Sequence, residues 1–169
     1  MGIQRLNHAV LYVRDAAVSS DFYCNVLGFR EVLNLGGKAI FLQAADSTND
    51  HDLGLFSMGE QSANSVAGQT TVGLYHLAWE TDTLHELQRI SGVLREVGAL
   101  TGASDHGTTK AVYGRDPDGI QFEVSWLVPA ELLHMEQGGM KTAALDLGAT
   151  IAKYGGQTFG GLGISHRPS

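Results

Sequence analysis

Hydrophobic and polar residues alternate over residues 5–13, which predicts a β-strand. Asp15 then opens an amphipathic helix, and Gly28 is a typical helix stop. Apolar runs predict three further strands near residues 29–35, 38–45 and 51–58. A polar stretch over residues 59–71, with Gly and Ser, is typical of a linker.

The same order recurs after the linker. The pattern predicts a strand at residues 73–80, a helix over about 82–97 that Gly98 stops, and strands near 99–104, 109–116 and 119–126. His8 and His76 lie between apolar neighbours in the first strand of each copy. Two copies of one βαβββ unit are the simplest account, and they predict an α+β fold.

We therefore expect one domain at residues 1–128, with modules at about 3–58 and 73–127. Residues 129–169 are expected to contain a short helical stretch and a Gly-rich tail without strong periodicity.

A tight turn is predicted inside the second module. Pro117 presets φ at the first turn position, Asp118 suits the second, and Gly119 can take the left-handed conformation that ends a three-residue loop. A loop of this length places Tyr113 opposite Glu123. Directly opposed residues of an antiparallel pair point to the same side of the sheet, so both side chains are expected on one face.

Composition limits the class of protein. With 169 residues and 43% hydrophobic content, the chain can bury a substantial core. A formal charge of −7 argues against nucleic acid or an anionic membrane as a partner. Cys24 is the single cysteine, and no signal-peptide core or membrane span is evident, so we expect a cytoplasmic protein.

The segment from His106 to Glu123 carries a resemblance. It is similar to the signature of type I extradiol (catechol-2,3-dioxygenase-like) enzymes in the vicinal oxygen chelate (glyoxalase/bleomycin resistance/dioxygenase) superfamily, in which paired βαβββ modules form a cup around one metal. The seven typed positions of that signature are met by His106, Val112, Tyr113, Asp116, Pro117, Gly119 and Glu123.

The resemblance implies a metal site made by His8, His76 and Glu123. The metal would be Fe(II), with Mn(II) as an alternative. Two imidazoles and one carboxylate leave coordination positions open for a substrate and for O₂. Glyoxalase-like relatives supply a fourth ligand from the last strand of the first module, but here that position falls within residues 54–56, which offer no metal-binding side chain.

The resemblance also implies the acid/base groups. His51 matches the histidine that serves as acid/base in catechol dioxygenases, and His106 and Tyr113 match residues that hydrogen-bond the substrate oxygens. An imidazole, with an ordinary pKa of about 6.5, can accept and return a proton near neutrality.

Three functions stay open at this point. The first is a non-haem Fe(II) extradiol dioxygenase that cleaves a catechol-type ring with O₂ during aromatic hydrocarbon catabolism. The second is a glyoxalase-like metal-dependent lyase or epimerase, and the third is a metal-free small-molecule binding protein. Many extradiol enzymes carry a further pair of modules, so this chain resembles a single-domain form, and we expect a homo-oligomer, a dimer or higher.

Overall fold

A computed structural model describes residues 2–3, 5–136 and 142–161. The chain has an α+β fold in which the βαβββ order occurs twice, as the pattern predicted. The first copy contains β1 (Ala9–Val13), α1 (Ala16–Leu27), β2 (Arg30–Asn34), β3 (Ala39–Gln43) and β4 (Leu53–Ser57). The second copy contains β5 (His76–Glu80), α2 (Leu84–Glu96), β6 (Leu100–Asp105), β7 (Thr109–Arg115) and β8 (Gln121–Leu127). After them come a 3-10 helix (Ala130–Met135), β9 (Ala143–Ala144) and α3 (Leu147–Tyr154).

Some predicted boundaries were wrong because strand pairing begins later than the apolar pattern. The β1–β4 pair starts at Ala9 and Leu53, so β1 does not reach back to residue 5 and His51 lies before β4. The strand β5 likewise begins at His76 and not at residue 73. The helix α2 begins at Leu84 because the Thr83 side chain accepts a hydrogen bond from a backbone N–H of the first turn.

The first compact unit runs to Thr70 and includes Asp116–Ile120. Its sheet has the order β1-β4-β3-β2, with β1 and β4 parallel. The helix α1 packs against β3 and β4. Leu11 and Val13 of β1 are buried while Tyr12 between them is exposed, as the period of two requires.

The second unit contains Thr71–Arg115 and continues from Gln121. Its sheet has the order β5-β8-β7-β6-β9. The helix α2 packs against β7 and β8, and its Leu94 is fully buried together with Phe122 and Trp126 of β8. The Trp126 indole donates to the carbonyl of Thr158 over 3.1 Å.

The C-terminal region is more regular than predicted. Asp146 caps α3 by accepting a hydrogen bond from the Ala149 amide over 2.9 Å, and the helix ends at Gly155, where φ is +83°. The interpretation of this region as a tail without periodicity was therefore wrong for residues 147–154. The rest of the predicted tail, at residues 138–141 and 162–169, lies outside the described residues. No helix in the described part of the chain is long and apolar enough to cross a membrane.

Candidate active site

The β7–β8 hairpin has the predicted register. The Asp116 amide donates to the Ile120 carbonyl over 3.0 Å, and Gly119 adopts a left-handed φ of +81°. The three-residue loop pairs Tyr113 directly with Glu123. The prediction that these two side chains lie on one face of the sheet is confirmed.

His76 and Glu123 meet on neighbouring parallel strands. Glu123 pairs with Ala78, two residues beyond His76, so the strand period directs both side chains to the same face. The His76 Nε2 atom lies 3.4 Å from the Glu123 Oε2 atom. The Ser125 hydroxyl donates to the other carboxylate oxygen, Oε1. Ser125 therefore orients Glu123 and leaves Oε2 directed at the imidazole.

Tyr113 links Glu123 to a second histidine. The His106 Nε2 atom lies 2.8 Å from the Tyr113 hydroxyl, and the His106 Nδ1 atom lies 3.3 Å from the Thr142 hydroxyl. Burial raises the pKa of Tyr113, and repulsion by the Glu123 carboxylate together with a hydrogen bond to it raises the pKa further. Tyr113 is therefore a proton donor near neutral pH.

One arrangement of protons satisfies the whole chain of contacts. Tyr113 donates to Glu123, a neutral His106 donates from Nε2 to the Tyr113 oxygen, and the Thr142 hydroxyl donates to Nδ1. Side-chain hydrogen bonds of this kind fix the tautomer of an imidazole.

His8 and His51 lie together in the first unit. Their ring centroids are 4.5 Å apart. The His8 Nδ1 atom lies 2.7 Å from the Asn7 Oδ1 atom, a contact of the type that fixes a histidine and leaves Nε2 for a metal. The His51 ring lies 5.0 Å from the Phe41 ring, and its Nδ1 atom lies 3.1 Å from the Asp50 carboxylate.

The first unit has a glycine where the second has Glu123. Glu123 pairs with Ala78 on one side and with Tyr113 on the other. Gly54 pairs in the same way with Val10 and Phe41. A β-carbon on Gly54 would lie 3.4 Å from the Phe41 ring, so an aromatic side chain lies against this position. The fourth ligand of a glyoxalase-like site therefore has no counterpart at Gly54.

Two further polar residues were missed by the sequence analysis. Ser125 follows Glu123 by two positions on a strand, and that spacing alone places both on one face. Thr142 carried no such signal, because it is distant in sequence from His106 and its place depends on the β6–β9 pairing.

The predicted metal ligands are divided between the units. His8 belongs to the first unit, and His76 and Glu123 belong to the second. Within each unit, the described residues contain no group of three or more His, Cys, Asp or Glu side chains that could hold a metal ion. The three-residue metal site stays a prediction, as do the roles of His51, His106 and Tyr113.

Comparison with known proteins identifies the family. The model of the glyoxalase/bleomycin resistance protein/dioxygenase superfamily matches residues 5–124, which is most of the chain. The chain belongs to this superfamily. The resemblance to vicinal oxygen chelate proteins and the α+β fold predicted from it are thereby confirmed.

Three relatives illustrate the range of this superfamily. The chain is 29% identical to catechol-2,3-dioxygenase of Bacillus subtilis (strain 168) over 154 residues, which are 89% of this chain and 52% of that enzyme. It therefore spans about half the length of that dioxygenase. It is also 29% identical over 133 residues to virulence protein STM3117 of Salmonella typhimurium, covering 76% of this chain and 88% of that protein. A glyoxalase/dioxygenase from Nostoc punctiforme superposes with a TM-score of 0.60 at 26% identity, over 72% of this chain and 90% of that one.

Proposed function

We propose that the protein is a non-haem Fe(II) extradiol dioxygenase that cleaves a catechol-type aromatic ring with O₂. The observation that carries the proposal is the His106–Tyr113 pair beside the His76–Glu123 pair on one face of the second sheet. Such an arrangement combines a metal-ligating pair with groups that bind and protonate substrate oxygens. The similarity to a catechol-2,3-dioxygenase supports the same function.

The donor set fits a divalent metal held by His8, His76 and Glu123. The Asn7 contact leaves the Nε2 atom of His8 for coordination, and the Ser125 contact leaves one oxygen of Glu123. Two neutral imidazoles and a carboxylate are typical ligands of Fe(II), and Mn(II) is the alternative metal. When bound, this ion supplies open coordination positions for a catechol and for O₂.

The residues around these ligands move the protons. Tyr113 is protonated at neutral pH and donates a hydrogen bond to a substrate oxygen. His106, held against Tyr113, binds the same part of the substrate. His51 accepts a proton from the catechol as it binds and returns it when the ring opens, which is general acid/base catalysis. Both atoms of O₂ enter the product, a 2-hydroxymuconic semialdehyde.

Gly54 is the feature that favours this function over a glyoxalase-like one. A lyase or epimerase of the superfamily needs a fourth protein ligand, and Gly54 and the adjacent Phe41 ring supply none at the corresponding position. The substrates of the proposed enzyme are a small aromatic diol and O₂. We propose that it acts in the cytoplasm as a homo-oligomer in the breakdown of aromatic compounds.

The test is ring cleavage by protein purified and loaded with Fe(II) under anaerobic conditions. Addition of air and catechol should form the yellow semialdehyde, with one O₂ consumed for each catechol. A Tyr113→Phe variant should retain its iron and lose most of the rate. Protein that binds iron but isomerises a hemithioacetal and leaves catechol intact would be a glyoxalase-like lyase, and protein that binds catechol without metal would be a binding protein.

A further inference from the structure

A buried lysine closes the turn that carries His106. Asp105 and Lys110 are directly opposed at the ends of β6 and β7, and His106 to Thr109 form the turn between them. The Lys110 ammonium donates to the Asp105 carboxylate and to the Gly107 carbonyl, each over 2.7 Å. The Asp105 carboxylate also accepts the Gly107 amide over 2.8 Å. The backbone on both sides of His106 is therefore bound to one ammonium and its carboxylate partner.

The same ammonium is bound by Glu136, which lies beyond the residues that match the superfamily. Lys110 Nζ lies 3.1 Å from Glu136 Oε1, and that oxygen also accepts from Lys153 over 2.8 Å and from the Tyr154 hydroxyl. Burial raises the pKa of Glu136, but the bonds from Lys153, Tyr154 and Lys110 outweigh it and hold the pKa at about 2. The region after β8 is thereby connected to the His106 turn.

Lys110 acts on this turn from the opposite side of the sheet to Tyr113. It pairs with the buried Trp126, whereas Tyr113, three positions further along β7, pairs with Glu123. Its side chain is only 2% exposed, and its ammonium lies 5.7 Å from the centre of the Tyr154 ring. It reaches His106 through the backbone of the turn and not through the imidazole.

Stability alone is a weak reason for this arrangement. Replacing a buried ion pair by apolar residues of similar size is often neutral or stabilising, because desolvation of the charges is costly. A lysine whose donors converge on the acceptors of one turn has a more specific consequence, namely a single geometry for the residue that the turn carries.

We propose that Lys110 is a positioning residue for His106, which it holds at hydrogen-bond distance from Tyr113 by fixing the turn at residues 105–109. The catalytic consequence rests on the proposed function, but the geometric consequence does not. A catalytic group displaced by about 1 Å can lose about 10²-fold in rate. Because Lys110 is directed away from the substrate face, its loss should lower kcat and leave KM nearly unchanged.

The direct experiment is ¹⁵N NMR of the histidine rings in the full chain, prepared without paramagnetic metal. The His106 signals are assigned with a His106→Gln variant. Wild-type protein should show His106 as a single tautomer protonated at Nε2. In Lys110→Met, the His106 ring nitrogens should move towards the average of the two tautomers. The control Lys153→Met removes a charge from the same Glu136, at a residue that is 38% exposed, and should leave the His106 signals unchanged.

Folded Lys110→Met protein with unchanged His106 signals would overturn the proposal. If Lys110→Met does not fold, Asp105→Asn decides, because it weakens the ammonium contact and retains an oxygen for the Gly107 amide; unchanged His106 signals there are equally fatal. With Fe(II) and catechol, kcat should fall about 10²-fold in Lys110→Met and less than twofold in Lys153→Met. Altered His106 signals in a chain that never cleaves catechol would refute the proposed function and leave the positioning role intact.

Discussion

Gly114 lies under an aromatic ring in the hairpin that carries Tyr113 and Glu123. It pairs directly with Phe122. A β-carbon at Gly114 would lie 2.5 Å from Phe122 Cζ, 3.0 Å from Cε2 and 3.2 Å from Leu94 Cδ2. Phe122 is 1% exposed and Leu94 is fully buried, so neither has free space to move into. The change Gly114→Ala therefore forces a shift of the ring or of the hairpin backbone.

The magnitude follows from two opposing terms. Forcing an extra methyl group into a packed core costs about 1–3 kcal/mol. The backbone angle φ at Gly114 is not positive, so alanine gains about 0.4–1 kcal/mol from lower entropy of the unfolded chain. The net expectation is a loss of about 1–2 kcal/mol. For a chain of this size, 1 kcal/mol corresponds to about 2–4 °C, so Tm should fall by about 2–8 °C.

The measurement is the denaturant and thermal unfolding of Gly114→Ala by circular dichroism. Gly92→Ala is the matched control, because Gly92 lies in α2 with no atom within 4 Å of an added β-carbon. Alanine there should raise the free energy of unfolding by about 0.5–1 kcal/mol. A Gly114→Ala protein at least as stable as wild type would mean that Phe122 does not cover Gly114. The register that places Tyr113 opposite Glu123 would then be wrong.

Three further predictions concern single side chains. His51→Gln should lower catechol turnover by about 10²–10⁴-fold with unchanged iron content, as expected for an acid/base group; near-normal turnover, or loss of iron, would reject that role. Ser125→Ala should weaken iron binding about 10–100-fold, because the hydroxyl orients Glu123; a competition titration with a chelator measures this, and unchanged affinity would contradict it. The pKa of Glu136 is lowered from 4.5 to about 2, so the stability from its ionised form is present above about pH 4.5 and is lost as the pH falls towards 2. Urea unfolding at a series of pH values should therefore show a shallower acid loss in Glu136→Gln than in wild type, and parallel curves would refute the assignment.

The β7–β8 hairpin could be predicted in detail because its information is local. Pro117, Asp118 and Gly119 fix the length of the loop, and a fixed length determines which side chains share a face. The helix stop at Gly28 was also predictable, since its φ of +76° is a conformation that glycine adopts readily.

The parts that failed depend on partners distant in sequence. The start of β1 is set by pairing with β4 and not by the alternating pattern that begins at residue 5. The contact of Thr142 with His106 requires the β6–β9 pairing, which two residues, Ala143 and Ala144, make without any periodic signal. Helix α3 had local signals in Asp146 and Gly155, but the surrounding glycines obscured them.

The central claim is that His8, His76 and Glu123 form one three-ligand iron site. The most direct measurement is the iron content of protein prepared anaerobically with Fe(II). Wild type should hold about one iron for each chain, as a single site of this type requires. Glu123→Ala should lose most of the iron, while His134→Gln, a change at an exposed histidine of the 3-10 helix, should retain it. Stoichiometric iron in Glu123→Ala would contradict the account.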